Sequence, residues 1–200
     1  MRKLLSGSSW EVAPKLLGCV LRCERDDASV AVMITEVEAY DGQNDPASHA
    51  YRAVTARNAV MFGPAGHLYI YRSYGLHWCA NIVTGVDGAA SAVLVRAGRL
   101  LEGADRARIR RGERMREVDL TRGPGRLCQA LGLDGGDNGA DLLSAGAVSL
   151  VEGTPVPSSM IETGPRVGVS AGHLTRWRFW IAGDPSVSAY KLSPRAPRND

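Results

Sequence analysis

The chain has 200 residues, of which 44% are hydrophobic and 22% charged, and its formal net charge is +3. These values are ordinary for one globular domain, and no apolar run approaches the roughly 18 residues of a membrane span. The basic N-terminus returns to polar residues too early for a secretory signal, so a cytoplasmic protein is expected. We expect residues 1–200 to form a single domain with flexible ends, at about 1–7 and 193–200.

In chain order, hydrophobic periodicity and turn residues predict a short helix, a run of strands, two further helices and several late strands. The predicted helices cover residues 8–18, 100–112 and 123–133, and the predicted strands cover 19–24, 29–38, 67–74, 76–85, 91–98, 147–153, 165–170 and 177–183. Strands and helices do not alternate regularly. The pattern therefore predicts an α+β fold, a single compact domain whose curved, largely antiparallel β-sheet core is flanked by helices.

Arginine dominates the basic residues, because only Lys3, Lys15 and Lys191 of the 24 are lysine. Guanidinium groups match phosphate oxygens and stack on rings, which suits a nucleic-acid partner. GC-rich genomes favour arginine codons to the same effect, so the net charge does not identify the partner. The basic helix after Leu100 offers Arg108, Arg110 and Arg111 as phosphate contacts, or as a solvated face with internal ion pairs.

Two glutamates in the predicted strand 29–38 are candidates for acid–base chemistry. Glu36 and Glu38 are two residues apart, so a strand places them on one face. One of two neighbouring carboxylates in a dehydrated site could act as a general base. The alternative is an exposed strand edge with solvated glutamates.

A second interpretation of the same region is a divalent-metal site. Asp41, Asp45 and His49 follow Glu36 and Glu38 closely, and hard oxygen ligands could hold Mg²⁺ or Mn²⁺ for phosphodiester cleavage. The spacing matches no specific metal motif. A metal-dependent nuclease using Glu36, Glu38, Asp41 and Asp45 is therefore an alternative.

Aromatic residues concentrate in the stretch 67–78, HLYIYRSYGLHW, which contains three of the six tyrosines and one of the four tryptophans. Strand alternation turns Tyr69 and Tyr71 to one side, where they could cover a sheet face or form a stacking platform for nucleobases. Tyr74 precedes Gly75 at a predicted turn and should protrude, as a wedge between base pairs does. A nucleic-acid-binding module without catalysis is a further alternative.

Longer motifs resemble a known family. The segments TEVEAYDG, SHAYR, TARNAVMFGPAGHLYIYRSYGLHWCANIV, GPGRLCQALGL and PRVGVS, in this order, closely resemble the alkyladenine (3-methyladenine) DNA glycosylases over residues 12–188. The resemblance implies one α+β domain, no metal or organic cofactor, and base excision repair of alkylated or deaminated purines in double-stranded DNA. It also implies that the damaged base is rotated out of the helix.

The resemblance also assigns site residues by motif. Glu38 matches the catalytic glutamate, Arg96 the arginine that helps to hold the attacking water, and the carbonyl of Val167 a further ligand of that water. The remaining matches are the base-pocket residues Tyr40, His49, Tyr71 and Asn81, with Asn81 opposing the exocyclic amino group of guanine, and the intercalating residue Tyr74. At Ala53-Val54 the chain departs from the Gly-Arg that bacterial relatives often carry, which removes one phosphate contact.

Lysine scarcity bears on the reaction type. A bifunctional glycosylase attacks C1′ with an amine, and no lysine lies in the pocket motifs. Water is therefore the expected nucleophile, and the product an intact strand with an abasic site. A monomer is expected because one damaged nucleotide has no two-fold symmetry, and in a bacterium the protein should associate with the nucleoid.

Overall fold

Eight antiparallel strands form one open sheet, in a computed structural model that describes residues 1–197. The strands are β1 (Val20–Arg25), β2 (Ala28–Tyr40), β3 (Leu68–Ser73), β4 (His77–Val83), β5 (Ala92–Glu102), β6 (Val148–Val151), β7 (Ile161–Gly164) and β8 (Arg178–Ile181). Their order is β3-β4-β5-β2-β1-β6, and β8 pairs with both β2 and β7. The predicted α+β class and antiparallel sheet are confirmed.

The long central strand β2 organises the sheet. Along one edge it pairs with β5, and along the other it pairs first with β1 and then, from Glu36 to Glu38, with β8. Register shifts interrupt the β2–β5 ladder on both sides of Glu36. Such bulges bend a strand and re-aim its side chains. The bend in β2 therefore lies at the two glutamates, Glu36 and Glu38, that the sequence analysis selected.

In the part of the chain that the structure describes, five α-helices and four single 3₁₀ turns cover the sheet. The helices are α1 (Arg2–Leu5), α2 (Ser9–Leu16), α3 (Ala104–Arg111), α4 (Glu117–Leu120) and α5 (Pro124–Leu131), and the 3₁₀ turns are Gly42–Asn44, Ala59–Phe62, Gly135–Asp137 and Ser158–Met160. Helix α2 packs on β2, and α5 packs on β4 and β5. Within residues 1–197, every helix is too short or too polar to cross a bilayer.

One predicted strand and one predicted helix boundary are wrong. Residues 165–170 were expected to form a strand, but they form a turn: Pro165 cannot donate to a ladder, and Gly168 has a φ of +72°. The helix expected from residue 100 begins at Ala104, because β5 continues to Glu102 and Gly103 breaks the strand with a φ of +79°. Part of the predicted flexible C-terminus, residues 198–200, lies outside the described residues.

Candidate active site

A cavity of about 510 Å³ opens where the end of β2 meets β3, β4, β5 and the turn after β7. Its wall contains all eight residues that the family resemblance assigns to the site. They are Glu38, Tyr40, His49, Tyr71, Tyr74, Asn81, Arg96 and Val167. Segments far apart in the chain thus converge on one space, large enough for a small ring system.

The carboxylate of Glu38 lies at the inner wall of this cavity and is fully buried. Its Oε1 accepts a hydrogen bond of 2.6 Å from the backbone N–H of Val167, and its Oε2 accepts one of 2.8 Å from the hydroxyl of Tyr40. A guanidinium nitrogen of Arg96 lies 3.4 Å from Oε1. The turn after β7 therefore fixes the carboxylate through backbone, which the sequence did not predict.

Glu36, two residues earlier, has a different environment. Its Oε1 accepts from the Nε of Arg96 at 2.9 Å and from the Nε of Arg178 at 2.7 Å, and its Oε2 accepts from the N–H of Ser188 at 2.7 Å. Glu36 is fully buried and does not line the cavity. Its charge is balanced by two arginines, so it acts as a counter-ion that holds Arg96 beside Glu38. Burial lowers the pKa of Arg96, but the Glu38 and Glu36 carboxylates outweigh it and the pKa is raised.

Three rings form one side of the cavity. The His49 ring meets Tyr71 edge to face with centroids 4.4 Å apart, and Tyr69 lies 5.7 Å from Tyr71. The Nδ1 of His49 lies 3.1 Å from the hydroxyl of Tyr69, which fixes the ring. Burial, followed by the charge of Arg57, lowers the pKa of His49, while burial raises the pKa of Tyr69 to about 12. His49 is therefore a neutral, flat wall at physiological pH.

Tyr40 forms another wall and is supported from outside the cavity. The guanidinium carbon of Arg166 lies 4.7 Å from the Tyr40 ring centroid and 5.4 Å from that of Trp177. Arg166 is buried and donates two hydrogen bonds to Asp45. Burial, and then the nearby Glu38 charge, raise the pKa of Tyr40, so its hydroxyl stays protonated and donates to Glu38.

Asn81 lies at the bottom of the cavity on β4, opposite Tyr69 in the β3–β4 register. Its Nδ2 donates to the carbonyl of Tyr69 at 3.1 Å, and the residue is only 3% exposed. This bond fixes which end of the amide is turned to the backbone, so the carboxamide is rigid. A rigid polar group at this depth can discriminate between the edges of bound bases.

Tyr74 stands at the rim, at the tip of the β3–β4 hairpin, and is 88% exposed. The N–H of Leu76 donates to the carbonyl of Ser73, and Tyr74 and Gly75 have φ values of +50° and +67°. Positive φ at both central positions defines a type I′ hairpin turn, which favours Asn-Gly. A bulky tyrosine is unfavourable there, and such strain is typical of functional positions.

The metal-site alternative is not supported by the positions of its residues. Asp45 is committed to Arg166, and Glu36 to Arg96 and Arg178. In the part of the chain from residue 1 to 197, no three His, Cys, Asp or Glu side chains come together to hold a metal ion. Glu36, Glu38, Asp41 and Asp45 therefore do not converge on one point.

The three arginines of α3 selected as phosphate contacts are used within the protein. Arg108 pairs with Glu117 at 2.9 Å, Arg110 donates to the carbonyl of Ala130, and Arg111 donates to Gln129 and to the carbonyl of Leu120. These bonds attach α3 to α4 and α5. Two arginines that the sequence analysis did not select, Arg57 and Arg166, instead border or support the cavity.

Comparisons with known proteins identify the family of this chain. The family described as "Methylpurine-DNA glycosylase (MPG)" matches residues 3–185. A protein of Streptomyces avermitilis is 50% identical over 192 residues, covering 94% of this chain and 90% of its own length, and one of Mycolicibacterium fortuitum is 51% identical over 191 residues, covering 92% and 95%. Both are named "Putative 3-methyladenine DNA glycosylase". The chain belongs to the methylpurine-DNA glycosylase family.

Proposed function

We propose that this protein is a monofunctional DNA glycosylase of base excision repair. It removes an alkylated or deaminated purine from double-stranded DNA by hydrolysing the N-glycosidic bond, and leaves an abasic site. The observation that carries this proposal is the position of Glu38, a buried carboxylate fixed by Val167 and Tyr40 at the wall of a cavity lined by aromatic rings. Family membership and the relatives' names support the same activity.

The carboxylate of Glu38 has two tasks in this reaction. As the bond between C1′ and the purine nitrogen breaks, its electrons leave with the base and positive charge grows on the sugar. A fixed carboxylate stabilises that charge and accepts a proton from the attacking water, whose oxygen bonds to C1′. Arg96, 3.4 Å from Oε1, and the carbonyl of Val167 are the groups that orient the water.

The rings of the cavity suit a flat base rotated out of the duplex. Tyr40, His49 and Tyr71 all line the cavity. An N-alkylated purine is cationic and departs without help, whereas hypoxanthine is neutral and departs more easily when it receives a proton. Asn81 excludes guanine because its rigid amide occupies the space that the exocyclic 2-amino group would need.

When the damaged base rotates out of the duplex, it leaves a gap in the base stack. Tyr74, exposed on a strained turn at the cavity rim, has the shape and position to occupy that gap. Lys3, Lys15 and Lys191 are absent from the cavity wall, so water rather than an amine is the nucleophile. One chain supplies every group named here, and we propose that it acts as a monomer.

The test uses a duplex oligonucleotide with one hypoxanthine or ethenoadenine, incubated with enzyme in excess and then treated with alkali. Cleavage only after alkali, unaffected by EDTA, is expected. Glu38→Gln should lower the single-turnover rate by at least about 10²-fold while lesion binding persists. Cleavage that needs a divalent ion would identify a nuclease, and binding without base release would identify a binding module. A covalent adduct trapped by borohydride would refute water as the nucleophile.

A further inference from the structure

Arg57 places a positive charge at the cavity that the proposed chemistry does not use. Its side chain lines the cavity, and its guanidinium carbon lies 5.4 Å from the centroid of the Tyr71 ring. Its guanidinium donates a long hydrogen bond, 3.4 Å, to the carbonyl of Arg72. Among residues 1–197, no carboxylate forms an ion pair with it. The charge is therefore uncompensated and faces the space where a base would lie.

The backbone that carries Arg57 is held in place against the pocket. The side chain of the next residue, Asn58, is buried and donates to the carbonyls of His49 and Ala53 at 2.9 and 3.0 Å. Its oxygen accepts from the N–H of Thr55 at 2.7 Å. The turn that presents Arg57 and the wall residue His49 therefore move as one unit, and the guanidinium is not on a free loop.

The charge of Arg57 acts on the walls themselves. It is the second cause, after burial, of the lowered pKa of His49. It also lies over the ring of Tyr71, whose π system attracts cations. A cationic base stacked against the wall formed by His49 and Tyr71 would meet a like charge and a ring already engaged by a guanidinium. A neutral base would meet neither penalty.

We propose that Arg57 is a specificity-determining residue, which shifts the selectivity of the pocket from cationic N-alkylated purines towards neutral damaged purines. This inference rests on the function proposed above. It concerns the ratio of two excision rates and not the existence of the activity. The size of the effect is that of one partly screened charge–charge interaction, about three- to tenfold in the rate ratio.

The experiment measures single-turnover excision of 3-methyladenine from methylated duplex DNA and of hypoxanthine from a duplex oligonucleotide. Arg57→Gln removes the charge, and Arg57→Lys keeps it. Arg72→Gln is the matched control, because Arg72 is an exposed neighbour on β3 that stacks on Trp78 at 5.5 Å and does not line the cavity. Each rate is expressed relative to that of the unaltered protein on the same substrate.

Arg57→Gln should raise the 3-methyladenine to hypoxanthine ratio by about three- to tenfold, while Arg57→Lys and Arg72→Gln should leave it within about twofold. Equal loss on both substrates, with a smaller salt slope of DNA binding, would overturn the proposal and make Arg57 a phosphate contact. If Arg72→Gln changed the 3-methyladenine to hypoxanthine ratio as much as Arg57→Gln, the proposal would be overturned. Selectivity would then depend on the general surface charge and not on Arg57. Absence of base release by the unaltered protein would instead refute the proposed function itself.

Discussion

Glu36 and Glu38 lie on the same face of β2 and share Arg96, yet their carboxylates have different surroundings. Glu36 accepts hydrogen bonds from two arginines and from Ser188, and it is separated from the cavity. Glu38 accepts one backbone N–H and one tyrosine hydroxyl, and it lines the cavity. The first glutamate stabilises the site, and the second is available for chemistry.

Glu36→Gln should destabilise the fold far more than Glu38→Gln. A glutamine at position 36 leaves Arg178 without its carboxylate and Arg96 with only the more distant Glu38, and breaking a buried ion pair costs about 3–5 kcal/mol. Glu38 has only the more distant contact to Arg96, so its replacement removes less. Urea unfolding of both variants measures the difference. Equal losses of unfolding free energy would show that Glu38 is a structural counter-ion as well.

Tyr74→Asn should stabilise the protein and impair repair of duplex DNA. Asparagine is favoured at the first central position of a type I′ turn, whereas a tyrosine at a φ of +50° is strained by about 1 kcal/mol. The exposed ring makes no buried contact whose loss would offset this gain. Excision from a duplex should fall about tenfold or more, since emptying the stack costs a few kcal/mol. A single-stranded substrate serves as the control, because no pair has to be replaced there.

Asn81→Ser should relax the exclusion of guanine-derived bases. The serine hydroxyl is smaller and cannot bond the Tyr69 carbonyl while also reaching a base edge. Relief of the steric overlap with the 2-amino group is worth about 1–3 kcal/mol, which corresponds to roughly 5- to 150-fold in selectivity. Competition between duplexes with 7-methylguanine and hypoxanthine measures it. Unchanged selectivity would mean that another part of the pocket rejects guanine.

Part of the candidate site follows from local patterns in the sequence. Strand alternation placed Glu36 and Glu38 together, and it turned Tyr69 and Tyr71 away from the core residues Leu68 and Ile70. These relationships depend only on the period of a strand. The motif resemblance then added residues from distant segments.

Contacts between distant segments could not be predicted in the same way. Asp45 was considered a metal ligand, but its partner Arg166 lies 121 positions away, and no local pattern links the two. The segment 165–170, PRVGVS, which contains Arg166, is predicted from its sequence to be a strand. The buried ion pair and Gly168 override that propensity, and the resulting turn brings the N–H of Val167 to Glu38.

The arginines of α3 provide a test on DNA affinity. Because Arg108 is paired with Glu117, Arg108→Ala should leave the salt slope of DNA binding unaltered. Arg126 is exposed on α5, two residues after the cavity residue Pro124, and among the described residues it has no hydrogen-bonded partner. Arg126→Ala should therefore reduce the slope by about one. A reduced slope in Arg108→Ala with an unaltered slope in Arg126→Ala would show that α3, and not α5, contacts the DNA phosphates.

His49 should make the protein less stable in mild acid. Its pKa is lowered in the fold, first by burial and then by Arg57, so the unfolded chain binds the proton more readily. The contribution of His49 to the free energy of unfolding is therefore fully present above the histidine pKa of the unfolded chain, about 6.5. This contribution declines as the pH falls from there towards the pKa of His49 in the folded protein. NMR titration of the imidazole should give a value below 6.5, raised in Arg57→Gln. Denaturant unfolding at pH 7.5 and 5.5 should show a smaller loss in His49→Gln than in the unaltered protein. An imidazole that titrates at or above 6.5 would mean that the wall is charged when it meets a base, and the neutral ring described here would be wrong.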